Sequence, residues 1–251
     1  MTDKHFAATH YEPRAEAYVR SQVHAAGEDL DEMEAALRGR TLPCVLDLGC
    51  GGGHVSYRAA RYATRVVACD VTPAMLAAVA RTAAAQGLHN IETCLAPAES
   101  LPFADEHFDA VLCRFTAHHW SDFKAGLREA WRVTKPGGLA VFMDTLAPES
   151  PLLDTHLQAL ELLRDPSHVR NYSAGQWCAA LGEAGFSLQR CTVRPLPLDF
   201  ASWTERTRTP PEMVAAIRHL QRGAPDPVRR YLRLTEEGGF TLETATILLS
   251  R

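Results

Sequence analysis

The 251-residue sequence lacks several features that would place it in a specialised class of protein. Its net charge is −4, so it has no excess of positive charge to attract a nucleic acid backbone. No segment approaches the roughly 20 apolar residues of a membrane helix, and residues 1–11 do not resemble a signal peptide. The seven cysteines show no paired spacing, which favours buried thiols over disulfides or a metal site. These absences predict a cytoplasmic protein with no nucleic acid partner, no membrane span and no metal.

Short apolar runs alternate with helical patterns along most of the chain. Five of the runs are apolar at their centres, as expected of strands in a parallel sheet that is covered on both faces. They span residues 44–48, 65–70, 90–95, 109–115 and 139–144. Helices are predicted between them, for example over 73–86, where Pro73 suits a first turn, and over 121–133. The alternation predicts an α/β fold with a doubly wound, mostly parallel sheet.

The stretch VLDLGCGGGHV, residues 45–55, contains the clearest functional signal. An apolar strand leads to Asp47, and four of the next six residues are glycine. In parallel α/β sheets, ligands bind beyond the carboxyl ends of the strands, and a glycine turn there lets backbone N–H groups approach a ligand closely. Asp70 ends the second predicted strand, where a carboxylate can accept hydrogen bonds from a ribose diol. The pattern therefore predicts a cofactor that contains adenosine.

Spacing and charge narrow the choice of cofactor. The dinucleotide fingerprint G-x-G-x-x-G, begun at Gly49, would need glycine where His54 stands, whereas Gly49, Gly51 and Gly53 fit G-x-G-x-G. The sequence has no Gly-Lys-Ser/Thr of a nucleoside triphosphate loop. The Asp47 carboxylate would repel a pyrophosphate, but it suits a ligand with a cationic ammonium group. S-adenosylmethionine carries both an ammonium and a sulfonium, so it is the favoured cofactor.

Four segments resemble the motifs of a known family. They are VLDLGCGGG, VVACDVTPAML, AESLPFADEHFDAV and RVTKPGG, and they occur in this order within residues 44–144. Together they are similar to class I S-adenosylmethionine-dependent methyltransferases of the ubiquinone/menaquinone-biosynthesis type, which act on small molecules. The resemblance implies a Rossmann-like sheet of seven strands with an antiparallel last strand. It also implies S-adenosyl-L-methionine as cofactor and S-adenosyl-L-homocysteine as product.

The same resemblance implies which residues contact the cofactor. Asp47 is expected at the methionine amine, Asp70 at the ribose and Met75 at the adenine. Tyr18 lies in a segment similar to the aromatic first helix of these enzymes, although packing on a surface helix explains it equally well. Glu99 is a candidate for the adenine amine and could equally be a solvated loop acid. The full set of expected cofactor contacts is Tyr18, Asp47, Gly49, Cys50, Gly51, Asp70, Val71, Thr72, Met75, Ala98, Glu99 and Arg114.

The segment CRFTAHHWSD, residues 113–122, follows the fourth predicted strand and therefore faces the cofactor by topology. His118 and His119 are the catalytic candidates, because histidine titrates near neutral pH and can remove a proton from an acceptor. Hydrogen bonds that merely hold the loop are the alternative for this pair. Metal binding is disfavoured because adjacent side chains diverge. Trp120 is a candidate to contact the acceptor or to face the sulfonium through cation–π attraction.

A second polar segment, residues 162–177, follows the fifth predicted strand, where these folds usually insert substrate-recognition elements. His168, Arg170 and Tyr172 are its candidates for contacting the acceptor. A capping box of Ser173 with Gln176 would explain the end of this segment without any role in binding.

The chain is expected to form one methyltransferase domain, residues 1–251, with three parts. Residues 1–40 are predicted to form cap helices, 41–146 the cofactor-binding core, and 147–251 the substrate-side insertion and the rest of the sheet. The acidic residues that start the second cap helix are expected to form a solvated face. After the core, helices are predicted over 151–164, 173–184 and near 199–222, and strands over 186–198 and 241–249.

The expected reaction is in-line methyl transfer to a carbon, oxygen or nitrogen nucleophile of a small-molecule acceptor. A nucleic acid acceptor is disfavoured because the chain is mildly acidic and its fourth strand ends without a base-modifying motif. Two alternatives stay open: an enzyme or binding module of this fold that performs no intermolecular methyl transfer, and an NAD-dependent oxidoreductase. The sequence fits a monomer and a homodimer equally.

Overall fold

The first strand, β1 (Cys44–Leu48), is buried along its whole length and lies inside a seven-stranded sheet. The structure is a computed structural model, and it describes residues 26–251. The other strands are β2 (Arg65–Asp70), β3 (Ile91–Leu95), β4 (Phe108–Arg114), β5 (Thr134–Leu146), β6 (Ser187–Leu198) and β7 (Phe240–Ser250). Their order in the sheet is β3-β2-β1-β4-β5-β7-β6, with β1 to β5 paired in parallel and β7 antiparallel to both of its neighbours. This topology confirms the predicted doubly wound fold and its antiparallel last strand.

Nine helices are present in residues 26–251. They are α1 (Glu28–Leu37), α2 (His54–Ala59), α3 (Pro73–Ala85), α4 (Phe123–Val133), α5 (Pro151–Arg164), α6 (Ala174–Ala184), α7 (Phe200–Arg206), α8 (Pro211–Gly223) and α9 (Asp226–Tyr231). Local capping explains several of their ends, because Asp122 accepts a hydrogen bond from Ala125 N at the start of α4. Ser173 and Gln176 form the predicted capping box at the start of α6. None of these helices has the length and apolar character needed to cross a membrane.

The strand β5 is longer than the predicted 139–144, because a contact with the end of the chain extends it. Gly137, at φ +74°, donates a hydrogen bond to the Arg251 carbonyl, and Arg251 N donates in turn to Gly138 O. These bonds keep the corner at 135–138 in the sheet. Since Arg251 is more than a hundred residues away in the sequence, no local pattern indicates this pairing.

Two apolar layers cover the sheet, which explains why its central strands are continuously apolar. On one face, Leu46 of β1 packs with Leu127 of α4 and Trp177 of α6. On the other face, Val45 of β1 packs in a cluster with Leu30 of α1. A third cluster lies around the buried Trp203 and joins α5, α7, α8 and the start of β7. This last cluster holds the C-terminal helices in place beside the sheet.

The acidic start of α1 is a solvated face only in part, because Glu28 and Asp31 are exposed whereas Asp29 and Glu32 are largely buried. Asp29 Oδ2 lies 2.5 Å from Arg114 Nε at the end of β4, and Glu32 pairs with Arg194 of β6. Burial alone would raise the pKa of Glu32, but hydrogen bonds and charge from Arg194 outweigh burial and lower it. The arginines that pair with Asp29 and Glu32 lie far along the chain, so these two acids fasten α1 to the sheet.

Candidate functional site

A cavity of about 680 Å³ lies at the carboxyl ends of the parallel strands. The loop after β1, residues 49–53, forms part of its lining, and we call this segment the glycine loop. The ends of β2 and β4, the segment 116–121 and several C-terminal elements complete the lining. This position is the one at which open α/β sheets bind their ligands.

Two glycines of the glycine loop are required for different reasons. Gly49 has φ +70°, and a Cβ atom there would lie 2.3 Å from Thr116 Oγ1, so this glycine permits the close approach of the loop to the end of β4. Gly51 has φ +48°, and a Cβ atom there would meet nothing within 4 Å. Since Gly51 lines the cavity, the open space beside its backbone is room for a ligand.

The carboxylate of Asp70, at the end of β2, holds the glycine loop from the neighbouring strand. Its Oδ2 accepts a hydrogen bond from Gly51 N and its Oδ1 accepts one from Thr72 N, each at 2.9 Å. Burial raises the pKa of Asp70, and these hydrogen bonds oppose that rise. Because a carboxylate has about four acceptor sites, both oxygens can still accept hydrogen bonds from a diol.

Asp47 lies deeper than Asp70 and is 1% exposed. Its Oδ2 accepts hydrogen bonds from Ser56 N at 3.0 Å and from Ser56 Oγ at 2.5 Å, which fixes the first turns of α2. Burial raises the pKa of Asp47 to about 7. A cation beside this carboxylate would lower that pKa again.

The remaining predicted cofactor residues divide into three groups. The first group lines the same cavity and consists of Cys50, Val71, Thr72, Met75 and Ala98. In the second group, Glu99 and Arg114 also line the cavity but are already engaged. Glu99 Oε1 accepts hydrogen bonds from Ser121 N and Oγ, both at 2.9 Å, and Arg114 forms its ion pair with Asp29. The third group is Tyr18, which lies outside the described residues.

Three histidines meet at the far side of the cavity, and we call His118, His119 and His168 the histidine cluster. The ring centroids of His118 and His119 are 4.2 Å apart, and those of His118 and His168 are 5.8 Å apart. His118 Nδ1 lies 2.6 Å from Asp144 Oδ1, and His119 Nδ1 lies 3.1 Å from the carbonyl of Ser167. The structure therefore brings together the catalytic candidates and one substrate candidate.

The three imidazoles have different affinities for a proton. Burial disfavours the charged form of His118, but the Asp144 carboxylate outweighs burial and raises the pKa of His118 above its ordinary value. Burial and the charge of His118 lower the pKa of His119 to about 4 and that of His168 to about 3. Within residues 26–251, no group of three or more histidine, cysteine, aspartate or glutamate side chains is arranged to hold a metal ion.

Two predicted substrate contacts lie elsewhere. Arg170 is absent from the cavity lining and pairs with Asp154, 2.5 Å from its Oδ2. Tyr172 stacks on Phe123 with ring centroids 3.8 Å apart, outside the lining. Trp120 does line the cavity, as predicted. Arg170 and Tyr172 thus take part in ion pairing and packing in this structure, and their contact with an acceptor stays a prediction.

Part of the cavity lining comes from β6, β7 and α7, within the region 147–251 that was predicted to contain a substrate-side insertion. The antiparallel pair of β6 and β7 continues beyond the end of β5, whose last residue, Leu146, pairs with Glu243. Leu196, Leu198 and Leu242 of this extension line the cavity. Together with Arg194, Pro195 and Thr244 beside the end of β5 and with Trp203 of α7, they form what we call the acceptor wall. The pairing of β6 with β7 brings these residues to the cavity, although they lie far from the glycine loop in the sequence.

Comparison with known proteins agrees with this site. Residues 46–142 match the family model described as a methyltransferase domain. The chain is 46% identical over 193 residues to YafE of Escherichia coli (strain K12), covering 77% of this chain and 93% of YafE. It is 37% identical over 202 residues to the uncharacterized methyltransferase YcgJ of Bacillus subtilis (strain 168), covering 80% of each.

Structural similarity extends over most of the chain. The crystal structure of the Bacillus subtilis YcgJ protein superposes with a TM-score of 0.86 at 32% identity, covering 89% of this chain and 98% of that chain. The demethylmenaquinone methyltransferase of Corynebacterium efficiens is 38% identical over 112 residues, covering 44% of this chain and 45% of that enzyme. With its seven-stranded fold, its glycine-loop cavity and these relatives, the chain belongs to the S-adenosylmethionine-dependent methyltransferases.

Proposed function

We propose that this protein transfers a methyl group from S-adenosylmethionine to a small-molecule acceptor that lies at the histidine cluster. The observation that carries the proposal is that one cavity joins the glycine loop to the histidine cluster. The cavity volume of about 680 Å³ falls within the usual range of small-molecule sites. Since the cofactor would occupy part of this volume, the acceptor is a small molecule.

The residues of the glycine-loop side fit S-adenosylmethionine. The open space at Gly51 leaves the backbone accessible, the Asp70 carboxylate suits the ribose diol, and the buried Asp47 suits the ammonium group. When bound, this cofactor supplies an activated methyl group on a sulfonium, so transfer leaves S-adenosylhomocysteine and frees a proton if the acceptor atom carried one. These features favour the methyltransferase over the NAD-dependent alternative.

The acceptor side supplies positioning and a base. Leu196, Leu198 and Trp203 give the acceptor wall an apolar surface, against which an apolar part of the acceptor would pack. His118 or His119 accepts the proton that the acceptor loses. Positioning itself can supply roughly 7 to 11 kcal/mol of the barrier reduction, so the chemistry asked of a base is modest.

We infer a cofactor-binding core of the ubiquinone/menaquinone-biosynthesis type. The four motifs within residues 44–144 and the identity to a demethylmenaquinone methyltransferase support it. Because that identity covers 45% of the relative, the acceptor of that enzyme is not assigned to this chain.

The test is to incubate the protein with S-adenosylmethionine labelled in its methyl group and with fractions of small molecules from a cell extract. We expect S-adenosylhomocysteine to form only when a particular fraction is present, together with a product that carries the labelled methyl group. Cofactor binding without any turnover across all fractions would favour the non-transferring alternative.

A further inference from the structure

The hydrogen bonds of the histidine cluster define which ring nitrogen carries hydrogen. A carboxylate only accepts hydrogen bonds, so His118 Nδ1, 2.6 Å from Asp144 Oδ1, is protonated. His119 Nδ1 lies 3.1 Å from the Ser167 carbonyl and 3.2 Å from Ser167 Oγ. Because the hydroxyl donates its hydrogen to Asp165 Oδ1 at 2.6 Å, His119 Nδ1 is the donor to the carbonyl. His168 Nε2 donates at 2.9 Å to Gln158 Oε1, an oxygen that also accepts from Asn171 N. The basic nitrogen of neutral His118 is therefore Nε2.

The hydrogen-bond partner of His118 Nδ1 is a carboxylate, that of Asp144. Asp144 is 4% exposed, and it also accepts hydrogen bonds from Ala117 N at 3.0 Å, from Thr145 N at 2.8 Å and, at 3.4 Å, from Thr145 Oγ1. All of its contacts thus suit an ionised carboxylate. The Ser167 carbonyl beside His119 and the Gln158 amide beside His168 are neutral groups, and a neutral group stabilises an imidazolium less than a carboxylate does.

Other charged groups surround His118 from every packed element, and they have partners of their own. Glu161 of α5 pairs with Arg164 at 3.3 Å. Asp165 accepts hydrogen bonds from Ser167 N at 2.9 Å and from Ser167 Oγ at 2.6 Å. His119 lies on the same turn, and His168 faces the ring from the segment after α5. Among the described acids, Asp144 is the one hydrogen-bonded to the His118 ring.

Asp144 also fixes the position of the ring. It lies two residues before the end of β5, and its Oδ2 accepts a hydrogen bond from the backbone N–H of Ala117, the residue before His118. One side chain therefore holds both the backbone and the imidazole of the same turn. On the other side of the turn, the His118 carbonyl accepts from Val169 N at 2.9 Å and from Arg170 N at 3.1 Å. These bonds leave Nε2 without a hydrogen-bond partner among residues 26–251.

We propose that Asp144 is the positioning residue that makes His118, and neither neighbouring imidazole, the proton acceptor of the cavity. The proton leaves the acceptor atom, and His118 Nε2 binds it. The resulting imidazolium keeps its Nδ1–H bond to the Asp144 carboxylate. His119 and His168 stay neutral, since a second positive charge within 6 Å of the first is unfavourable. The catalytic consequence rests on the proposed function, whereas the ionisation does not.

The ionisation can be measured on the full chain without any acceptor. Protein labelled with ¹⁵N at histidine is titrated by NMR from pH 4 to pH 9, and the three signals are assigned with the variants His118→Gln, His119→Gln and His168→Gln. We expect hydrogen on Nδ1 of His118 and a midpoint above the ordinary histidine value. The other two rings should remain neutral down to about pH 5. Hydrogen on Nε2 of neutral His118 in the wild type would overturn the proposal, and this observation needs no variant.

Asp144→Asn removes the charge and keeps the shape of the side chain. We expect the acid dissociation constant of His118 to rise at least about tenfold, because the imidazolium loses its counter-ion. Asp165→Asn is the matched control, since it neutralises another buried acid that lies beside the histidine cluster. This carboxylate accepts hydrogen bonds from Ser167 N and Oγ, and among the described residues no hydrogen bond joins it to the His118 ring. An equal shift in both variants, or none in Asp144→Asn, would contradict a specific role for Asp144.

Turnover of an acceptor found by the labelled-methyl screen gives a second measurement. In Asp144→Asn, we expect kcat to fall roughly 10- to 100-fold and its acidic limb to move to lower pH, with S-adenosylhomocysteine affinity within about twofold of wild type. An unchanged pH profile would mean that Asp144 only stabilises the fold. If the screen yields no acceptor, the proposed function fails, while the NMR titration still decides the role of Asp144.

Discussion

The two sides of the cavity are built in different ways. The glycine loop presents backbone from one strand–loop–helix unit, and its main neighbours are Asp70 at the end of β2 and Thr116 after β4. The histidine cluster presents side chains from distant segments. His118 is hydrogen-bonded to Asp144 of β5, and His119 is hydrogen-bonded to the carbonyl of Ser167, which follows α5. A backbone site leaves a mark in local sequence, whereas a side-chain site depends on how segments pack. The comparison predicts that substitutions on the two sides have separable effects.

The largest expected effect is on the acceptor side. His118→Gln should lower kcat by about 10²- to 10⁴-fold, the usual contribution of a positioned base. The dissociation constant for S-adenosylhomocysteine should stay within about twofold, since the glycine-loop contacts are intact. Steady-state kinetics and calorimetry on the same preparation test both statements. His119→Gln is the matched comparison, and a larger loss of kcat there would reverse the roles of the pair.

On the cofactor side, Asp70→Ala should weaken S-adenosylmethionine binding by about 2 to 3 kcal/mol, through loss of charge-assisted hydrogen bonds. Part of this loss would come from Gly51 N and Thr72 N, which lose their acceptor. Asp70→Asn keeps an oxygen for one of these groups and should weaken binding less. Calorimetric titration measures both variants, and an unchanged affinity in Asp70→Ala would remove this carboxylate from the cofactor site.

Gly49→Ala should destabilise the fold more than Gly87→Ala by about 1 to 3 kcal/mol. Both glycines have φ +70°, so alanine is equally strained at each. A Cβ atom at Gly49 would collide with Thr116, while one at Gly87 would meet nothing within 4 Å. The free energy of unfolding of each variant is measured by urea denaturation. The difference between the two variants gives the cost of the contact between a Cβ atom at position 49 and Thr116. Equal destabilisation would show that the loop moves away from Thr116 at no cost.

The smallest expected effect is a pH dependence of cofactor affinity. Burial raises the pKa of Asp47 to about 7, and a bound ammonium would lower it, so binding should release a proton. Affinity should therefore rise about fivefold from pH 6 to pH 7, the range in which free Asp47 loses its proton. Asp47→Asn should abolish this rise. An affinity that falls with pH in the wild type would contradict the proposed ammonium contact.

Most of the fold could be predicted because its signals are local. The boundaries of β1 and β2 agree with the predicted strands, and α3 ends within one residue of its prediction. The predicted strand at 139–144 was too short, since β5 is extended by hydrogen bonds to Arg251. The short helix α9 (Asp226–Tyr231) had no predicted counterpart.

The site was predictable to the same extent. The glycine loop and Asp70 follow from spacing, and the histidine pair follows from its position after β4. Asp144 ends an apolar run in the sequence, which was a usable signal, because an acid at the carboxyl end of a parallel strand faces the ligand side. Arg170 and Tyr172 were predicted from their place in a polar segment after the fifth strand, and their partners in the structure, Asp154 and Phe123, are visible only in the packing.

Calorimetric titration of the full chain with S-adenosylmethionine tests the central claim most directly, with NADH as the comparison ligand. The glycine-loop cavity predicts one S-adenosylmethionine per chain with a dissociation constant on the order of micromolar, about −8 kcal/mol, and no heat of binding with NADH. Binding of NADH without any binding of S-adenosylmethionine would contradict the assignment of the cavity.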